Sequence, residues 1–260
     1  MPLALVVGSA LLHCGAVPPG RWEPVPDFSD EFDDAALNAT RWDTSPPSWG
    51  AWDWNASQVA QGDGALSITM SYDPHPATRW NGTIYYYSGI AKSRLAAGTG
   101  FGYYEARIKG ADRWPGVCPA FWAWRHAADY WTELDFVEMQ ENDLSPRDID
   151  FTWHLFPPTV PKHVMNSTHT VFPFDPRDEY HVYGMEWNET TLTWWVDGTV
   201  VKQGPAGPQF ALGRPMDVAL SFGVRPPLAV HGVVNATTAN ASGFPTSFSV
   251  DYVRAYRRVG

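Results

Sequence analysis

The chain is a succession of short segments in which apolar and polar residues alternate. They are GALSITMSY (64–72), IYYYSGIAKS (84–93), FGYYEARIKG (101–110), PAFWAW (119–124), DIDFTWHLF (148–156), YHVYGMEW (180–187), TLTWWV (191–196) and SVDYVRAY (249–256). Successive side chains of a strand point to opposite faces, so a period of two gives each segment one face for a core and one for solvent or ligand. Gly, Pro and Asn separate the segments, and most of the 23 prolines fall in those gaps, where they shape loops rather than break strands. Asp197-Gly198, between TLTWWV and TVVK, is a two-residue hairpin signal. Amphipathic helical spacing over ten or more residues is absent, so helix is expected to be scarce. The pattern predicts one all-β domain of the sandwich or barrel kind.

One segment breaks the alternation. WTELDFVEMQ (131–140) holds Glu133, Asp135 and Glu138 among Leu134, Phe136, Val137 and Met139. In a flat strand Glu133 and Asp135 share a face and Glu138 points away. A β-bulge in the Phe136-Val137 pair returns Glu138 to the face of the other two. The three acids then line a cleft, with the two Glu carboxyls about 5 Å apart, the spacing at which one carboxylate attacks and the other serves as acid and base. Three ionised carboxylates in a row repel, so the cluster is expected to hold a shared proton at neutral pH, on Glu138. An ordinary charged solvent face is the bland alternative for E-x-D-x-x-E.

Composition narrows the class. At 260 residues, 44% apolar and 15% aromatic with 14 Trp, the chain fills a large core, and 18% charged residues argue against disorder. No internal stretch is long enough for a membrane span and no basic block suggests nucleic acid. The formal charge of −10 repels polyanions at long range. MPLALVVGSALLHCGA (1–16) reads as a secretory signal cleaved after Ala16, which leaves 17–260 as one catalytic domain and Cys118 as its only thiol. Asn38, Asn55, Asn81, Asn166, Asn188, Asn235 and Asn240 each begin N-x-S/T, and only Asn142 does not. Such acceptors belong on the surface of an exported glycoprotein.

ELDFVE, preceded by GYYEARIKG and PAFW and followed by VDYVRAY, resembles the bulged active-site motif of glycoside hydrolase family 16, with similarity from FSDEFD (28–33) to the C-terminus. The resemblance implies a jelly-roll β-sandwich of two curved antiparallel sheets with a concave substrate cleft. It also implies Glu133 as nucleophile, Asp135 as its assistant and Glu138 as acid/base. YYYSGIAKSR, GVCPAFW, PFDPRDEYHVYG, LSFGVRPP and GFPTSFSVDYVR resemble the kappa-carrageenases, relatives of the agarases and porphyranases. On that resemblance Trp122 floors the subsite beside the cleaved bond, Trp54 forms a cleft wall, and Arg225 contacts sulfate. Arg225 is also open to reading as a partner of Asp217. His154 lies on the polar face of DIDFTWHLF, where it either bonds the nucleophile region or substrate or is structural. Two departures stand out: RHAADYWT (125–132) is short, and FPPTVPKHVMNSTHTV (156–171), taken as a loop, offers Lys162 and His163 where Trp and Arg are expected.

The sequence therefore predicts a secreted, monomeric, endo-acting retaining hydrolase of β-1,4 linkages in a sulfated red-algal galactan, kappa-carrageenan foremost. Agarose, porphyran and β-1,3-glucan are the alternative substrates, and a jelly-roll lectin is the non-enzymatic alternative. No cofactor is required, although a structural Ca²⁺ is compatible with the family.

Overall fold

The computed structural model describes residues 17–77, 79–94, 100–140, 142–230, 233–234 and 236–260. The segment read as a signal, 1–16, and the acceptor Asn235 lie outside the described residues. None of the other six acceptor asparagines is buried.

Two large sheets face one another in a jelly-roll sandwich. The inner sheet has seven strands, in the order Val164–Val171, Asp148–Phe156, Tyr130–Met139, Val117–Ala127, Asp217–Val224, Ile90–Ser93 and Trp42–Asp43. The outer sheet has ten; its main path runs Thr199–Pro205, Thr191–Val196, His181–Trp187, Gly102–Lys109, Thr246–Arg258, Ala65–Pro76, Thr83–Ser88 and Asp53–Trp54. All pairings in the two sheets are antiparallel except that of Asp53–Trp54 with Thr83–Ser88. Helix is confined to Gly207–Phe210 and the 3₁₀ turn Ala56–Gln58 among the described residues.

Alternation dictates the core, as the period of two requires. Leu66, Ile68 and Met70 from one outer strand and Val218, Leu220 and Phe222 from an inner one are all essentially inaccessible to solvent. Such burial is worth roughly 1.5–3 kcal/mol per large aliphatic or aromatic side chain. Asp197 and Gly198 both take positive φ, 47° and 74°, in the tight turn between Val196 and Thr199. The Asp197 carboxylate then accepts from Val182 N–H at 2.8 Å.

Two segments differ from the sequence reading. IYYYSGIAKS is two strands in different sheets, Thr83–Ser88 outside and Ile90–Ser93 inside. Gly89 sits at the crossing, where a Cβ would come within 2.6 Å of the Gln58 carbonyl. The second half of FPPTVPKHVMNSTHTV is not loop but the edge strand Val164–Val171. It carries no apolar face, because five of its eight residues are exposed and none is buried, so hydrophobic alternation could not reveal it.

Candidate active site

The Tyr130–Met139 strand lies between Val117–Ala127 and Asp148–Phe156. Asp135 opposes Trp122 and Val137 opposes Phe121, which leaves Phe136 as the extra residue. On the other edge Asp135 opposes Thr152 and Glu138 opposes Asp150. This is a β-bulge at the Phe136-Val137 pair. Glu133, Asp135 and Glu138 consequently line one cleft, while Leu134, Phe136, Val137 and Met139 are buried behind them. A bulge interrupts the ladder and frees backbone groups that must find other partners. Here the Asp135 carbonyl accepts the Trp194 indole N–H at 2.8 Å, from the opposite sheet. Lys202, also from that sheet, lies 4.5 Å over the Trp194 ring and donates to the Phe151 and Asn166 carbonyls, each at 2.7 Å.

The acids are not equivalent. Burial, then the Asp135 charge, push the Glu133 carboxyl up to about 8, against opposition from His154. Arg225 Nη2 donates to Glu138 Oε1 at 2.6 Å. The raised carboxyl of the cluster is thus Glu133, where the sequence reading put the proton on Glu138. Burial and Asp135 raise Glu133 against the pull of Arg225, which the sequence did not pair with any of the three. Its strand ends at Val224, and Arg225 N–H bonds the Gly116 carbonyl at 3.0 Å, which carries the backbone register one residue further and sets the guanidinium at the cleft. Gly223 leaves room for the guanidinium, since a Cβ there would stand 2.9 Å from Arg225 Nη1 and the side chain would have to shift. Asp217, the other partner considered for Arg225, is 3.5 Å from Lys92 instead.

His154 opposes Glu133 across the strand pair, with Nε2 at 3.2 Å from Asp135 Oδ2 and 3.9 Å from Glu133 Oε1. Its Nδ1 is 2.8 Å from His163 Nε2. The neighbouring Asp150 is buried and its carboxyl is pushed up to about 6 by burial, with His169 opposing the shift.

Opposite the imidazoles stands a wall of indoles. Trp122 lies in the cleft lining with its N–H on Ser221 Oγ at 2.9 Å and its ring stacked on Trp124 at 4.3 Å and 22°. Trp54 also lines the cleft, but it is only 8% exposed and packs edge-on against Trp49 and Trp52 at 5.3 and 5.5 Å. Trp49, 37% exposed, is the indole that this packing turns outward. Sequence reasoning missed Trp49, Trp124, Trp194 and Lys202. The spacing in PAFWAW does place Trp122 and Trp124 on one face, which was a usable signal for Trp124. Trp49 sits in a loop and Trp194 acts across the sandwich, so neither has a periodicity to read.

Two trios among the described residues bring ligand-type atoms within 4.8 Å of one another, Glu133 with Asp135 and His154, and Asp148 with Asp150 and His169. Each includes an imidazole, whereas Ca²⁺ takes an all-oxygen shell of roughly six to eight ligands. In each trio the imidazole already faces a carboxylate of the protein, His154 beside Asp135 and His169 beside Asp150.

The geometry of this cleft has relatives. The family model for the GH16 domain of beta-porphyranases A–D matches residues 22–258. The kappa-carrageenase of Pseudoalteromonas carrageenovora is 34% identical over 99% of this chain and 70% of its own length. Beta-porphyranase E of Zobellia galactanivorans is 29% identical over 70% of this chain and 66% of its own. A crystal structure of the P. carrageenovora kappa-carrageenase, in complex with an oligotetrasaccharide of kappa-carrageenan, superposes with a TM-score of 0.82 and 31% identity, covering 96% of this chain and 100% of that one. A family model spanning nearly the whole chain, and a relative this similar along it, establish that the protein is a glycoside hydrolase of family 16.

Proposed function

We propose that this protein is a secreted, endo-acting retaining hydrolase that cuts β-1,4 linkages in a sulfated galactan, with kappa-carrageenan as its substrate. The observation that carries the reading is the bulged strand, which faces Glu133, Asp135 and Glu138 into a cleft where Arg225 rests on Glu138. The full-length similarity to a kappa-carrageenase supports the choice of polymer. Surface acceptor asparagines and the N-terminal apolar run support export.

In the first step ionised Glu133 attacks the anomeric carbon and the bond to the leaving sugar's oxygen breaks, while Glu138 gives that oxygen its proton. In the second, Glu138 takes a proton from water, and the hydroxide oxygen displaces Glu133 from the glycosyl ester. The resting site has the opposite arrangement, with Glu133 raised to about 8 and Glu138 held by Arg225. A sulfate ester brings its own claim on the guanidinium, which binds such oxyanions through paired hydrogen bonds. Once Arg225 turns to sulfate, Glu138 loses its counter-charge and becomes the better proton holder, and Glu133 is freed to attack. The charge of Asp135 opposes this ionisation of Glu133, and that of His154, 3.2 Å from Asp135, favours it. Trp122 and Trp49 offer flat apolar faces to the C–H surfaces of the sugars.

Porphyran, also a sulfated galactan, is the second reading, favoured by the porphyranase family model. Release of new reducing ends from purified kappa-carrageenan, porphyran, agarose and laminarin separates the cases. Cleavage of kappa-carrageenan above the others is expected. Cleavage of neutral agarose with carrageenan untouched would remove sulfate recognition from Arg225. Binding of any of the four without chain scission would leave only a lectin.

A further inference from the structure

The contact between His154 and His163 is unusual for an exposed loop imidazole. The two rings are within 12° of parallel with centres 5.1 Å apart, yet Nδ1 of one is 2.8 Å from Nε2 of the other. That combination is an in-plane hydrogen bond between ring nitrogens, not a face-to-face stack. His163 is held for it from below, because its ring lies flat on Phe156 at 4.4 Å and 2°. Phe156 in turn stacks on Trp131 at 4.5 Å, and Trp131 on His126 at 4.5 Å. Thr159 ties the intervening loop to this ladder by donating to the Trp131 carbonyl at 2.9 Å. These rings cover one another's faces, so the row serves as a support rather than as a platform for sugars.

We propose that His163 is a positioning residue of the hydrolytic site, which through this in-plane bond fixes the His154 ring with Nε2 facing Asp135 and Glu133. The proposal rests on the assignment of Glu133 as nucleophile. Only one proton fits between Nδ1 of His154 and Nε2 of His163. Burial and the charge of His154 both hold the His163 imidazole below its usual range, so His163 stays neutral and accepts. Nδ1–H of His154 is then committed outward, and its second N–H is aimed inward at Asp135 Oδ2, 3.2 Å away. An imidazolium in that position opposes the burial and the Asp135 charge that make Glu133 hard to ionise. The charged groups around the pair are Glu133, Asp135 and Glu138 from the catalytic strand, Asp150 from the strand of His154 itself, and Lys162 from the loop. Arg225 across the cleft and Lys202 from the outer sheet complete the set. His163 is the hydrogen-bond partner of His154 Nδ1. The family resemblance leads one to expect Trp and Arg in this loop, where the chain offers Lys162 and His163.

Two measurements on wild type, His163→Ala and His163→Gln test this. The first is the pH profile of kcat/KM on kappa-carrageenan. His163→Ala should move the acidic limb upward by about 0.5 pH unit or more, about threefold extra loss on that limb, with KM little changed. Gln, whose side-chain oxygen can accept from Nδ1–H, should restore most of it. The second is the NMR signal of the hydrogen-bonded His154 Nδ1 proton in the substrate-free enzyme, which should be lost in the Ala variant and kept in the Gln variant. A uniform rate loss at every pH, an unmoved acidic limb, or a His154 signal indifferent to both substitutions would overturn the proposal. Should the wild type leave carrageenan intact, the functional reading fails, and the NMR signal still decides whether His163 holds His154.

Discussion

Glu133 is where the chemistry and the stability of this fold conflict. A carboxyl raised from 4.5 to about 8 binds a proton in the folded state that the unfolded chain releases. Between those values the native state holds more protons than the unfolded one, so stability falls as pH rises through the window. Glu133→Gln keeps the shape and removes the titration. It should abolish turnover with the fold intact, and its melting temperature should gain on wild type progressively from about pH 5 to pH 8. A constant difference across that range would show that Glu133 is not raised. The three acids were legible in the sequence because a bulge is the simplest way to reconcile their spacing with a buried strand. Which acid is raised was not legible, because that depends on how deeply the fold buries Glu133 and on an arginine that meets Glu138 from 87 residues away.

At the level of elements, the bulge depends on the sheet behind it. Trp194 donates to the carbonyl of Asp135, where the ladder is broken. Trp194→Phe preserves most of the ring and leaves that buried carbonyl unsatisfied. It should cost about 1–3 kcal/mol in stability by denaturant melting. Because the bulge carries Asp135 and sets Glu138, kcat should fall more than KM rises. Full activity in a variant destabilised by that amount would mean that the bulge holds its shape unaided. Strands such as Asp148–Phe156 and Thr191–Val196 were readable to the residue, since Ile149, Phe151, Trp153 and Leu155 recur at every second position of one, as Leu192, Trp194 and Val196 do of the other. Val164–Val171 was not, because an exposed edge strand has no apolar period. The split of IYYYSGIAKS between sheets was hidden in Gly89, whose missing side chain matters only when Gln58 lies beside it.

Across the whole molecule, a chain of net charge −10 is asked to take a polyanion. The two facts are compatible only if attraction is local, at Arg225, and repulsion is general. Salt separates them, since exposed charges are screened over a Debye length of about 10 Å at 0.1 M while close, partly buried contacts are screened less. Initial rates on dilute kappa-carrageenan should therefore rise from about 0.01 M to about 0.1 M salt before levelling or falling, and those on neutral agarose should not respond. A steady decline from the lowest salt would instead indicate a broad cationic binding face. The sandwich makes this possible by setting Trp122, Trp124 and His154 beside the acids on one inner-sheet face, with Arg225 in the same cleft, while the outer sheet props the catalytic strand. Proton NMR of kappa-carrageenan during the first turnovers tests the central claim most directly. Double displacement by Glu133 with Glu138 as acid and base predicts that each new reducing end forms as the β anomer and only later equilibrates. New ends that form as the α anomer would contradict it, and so would an unbroken polymer.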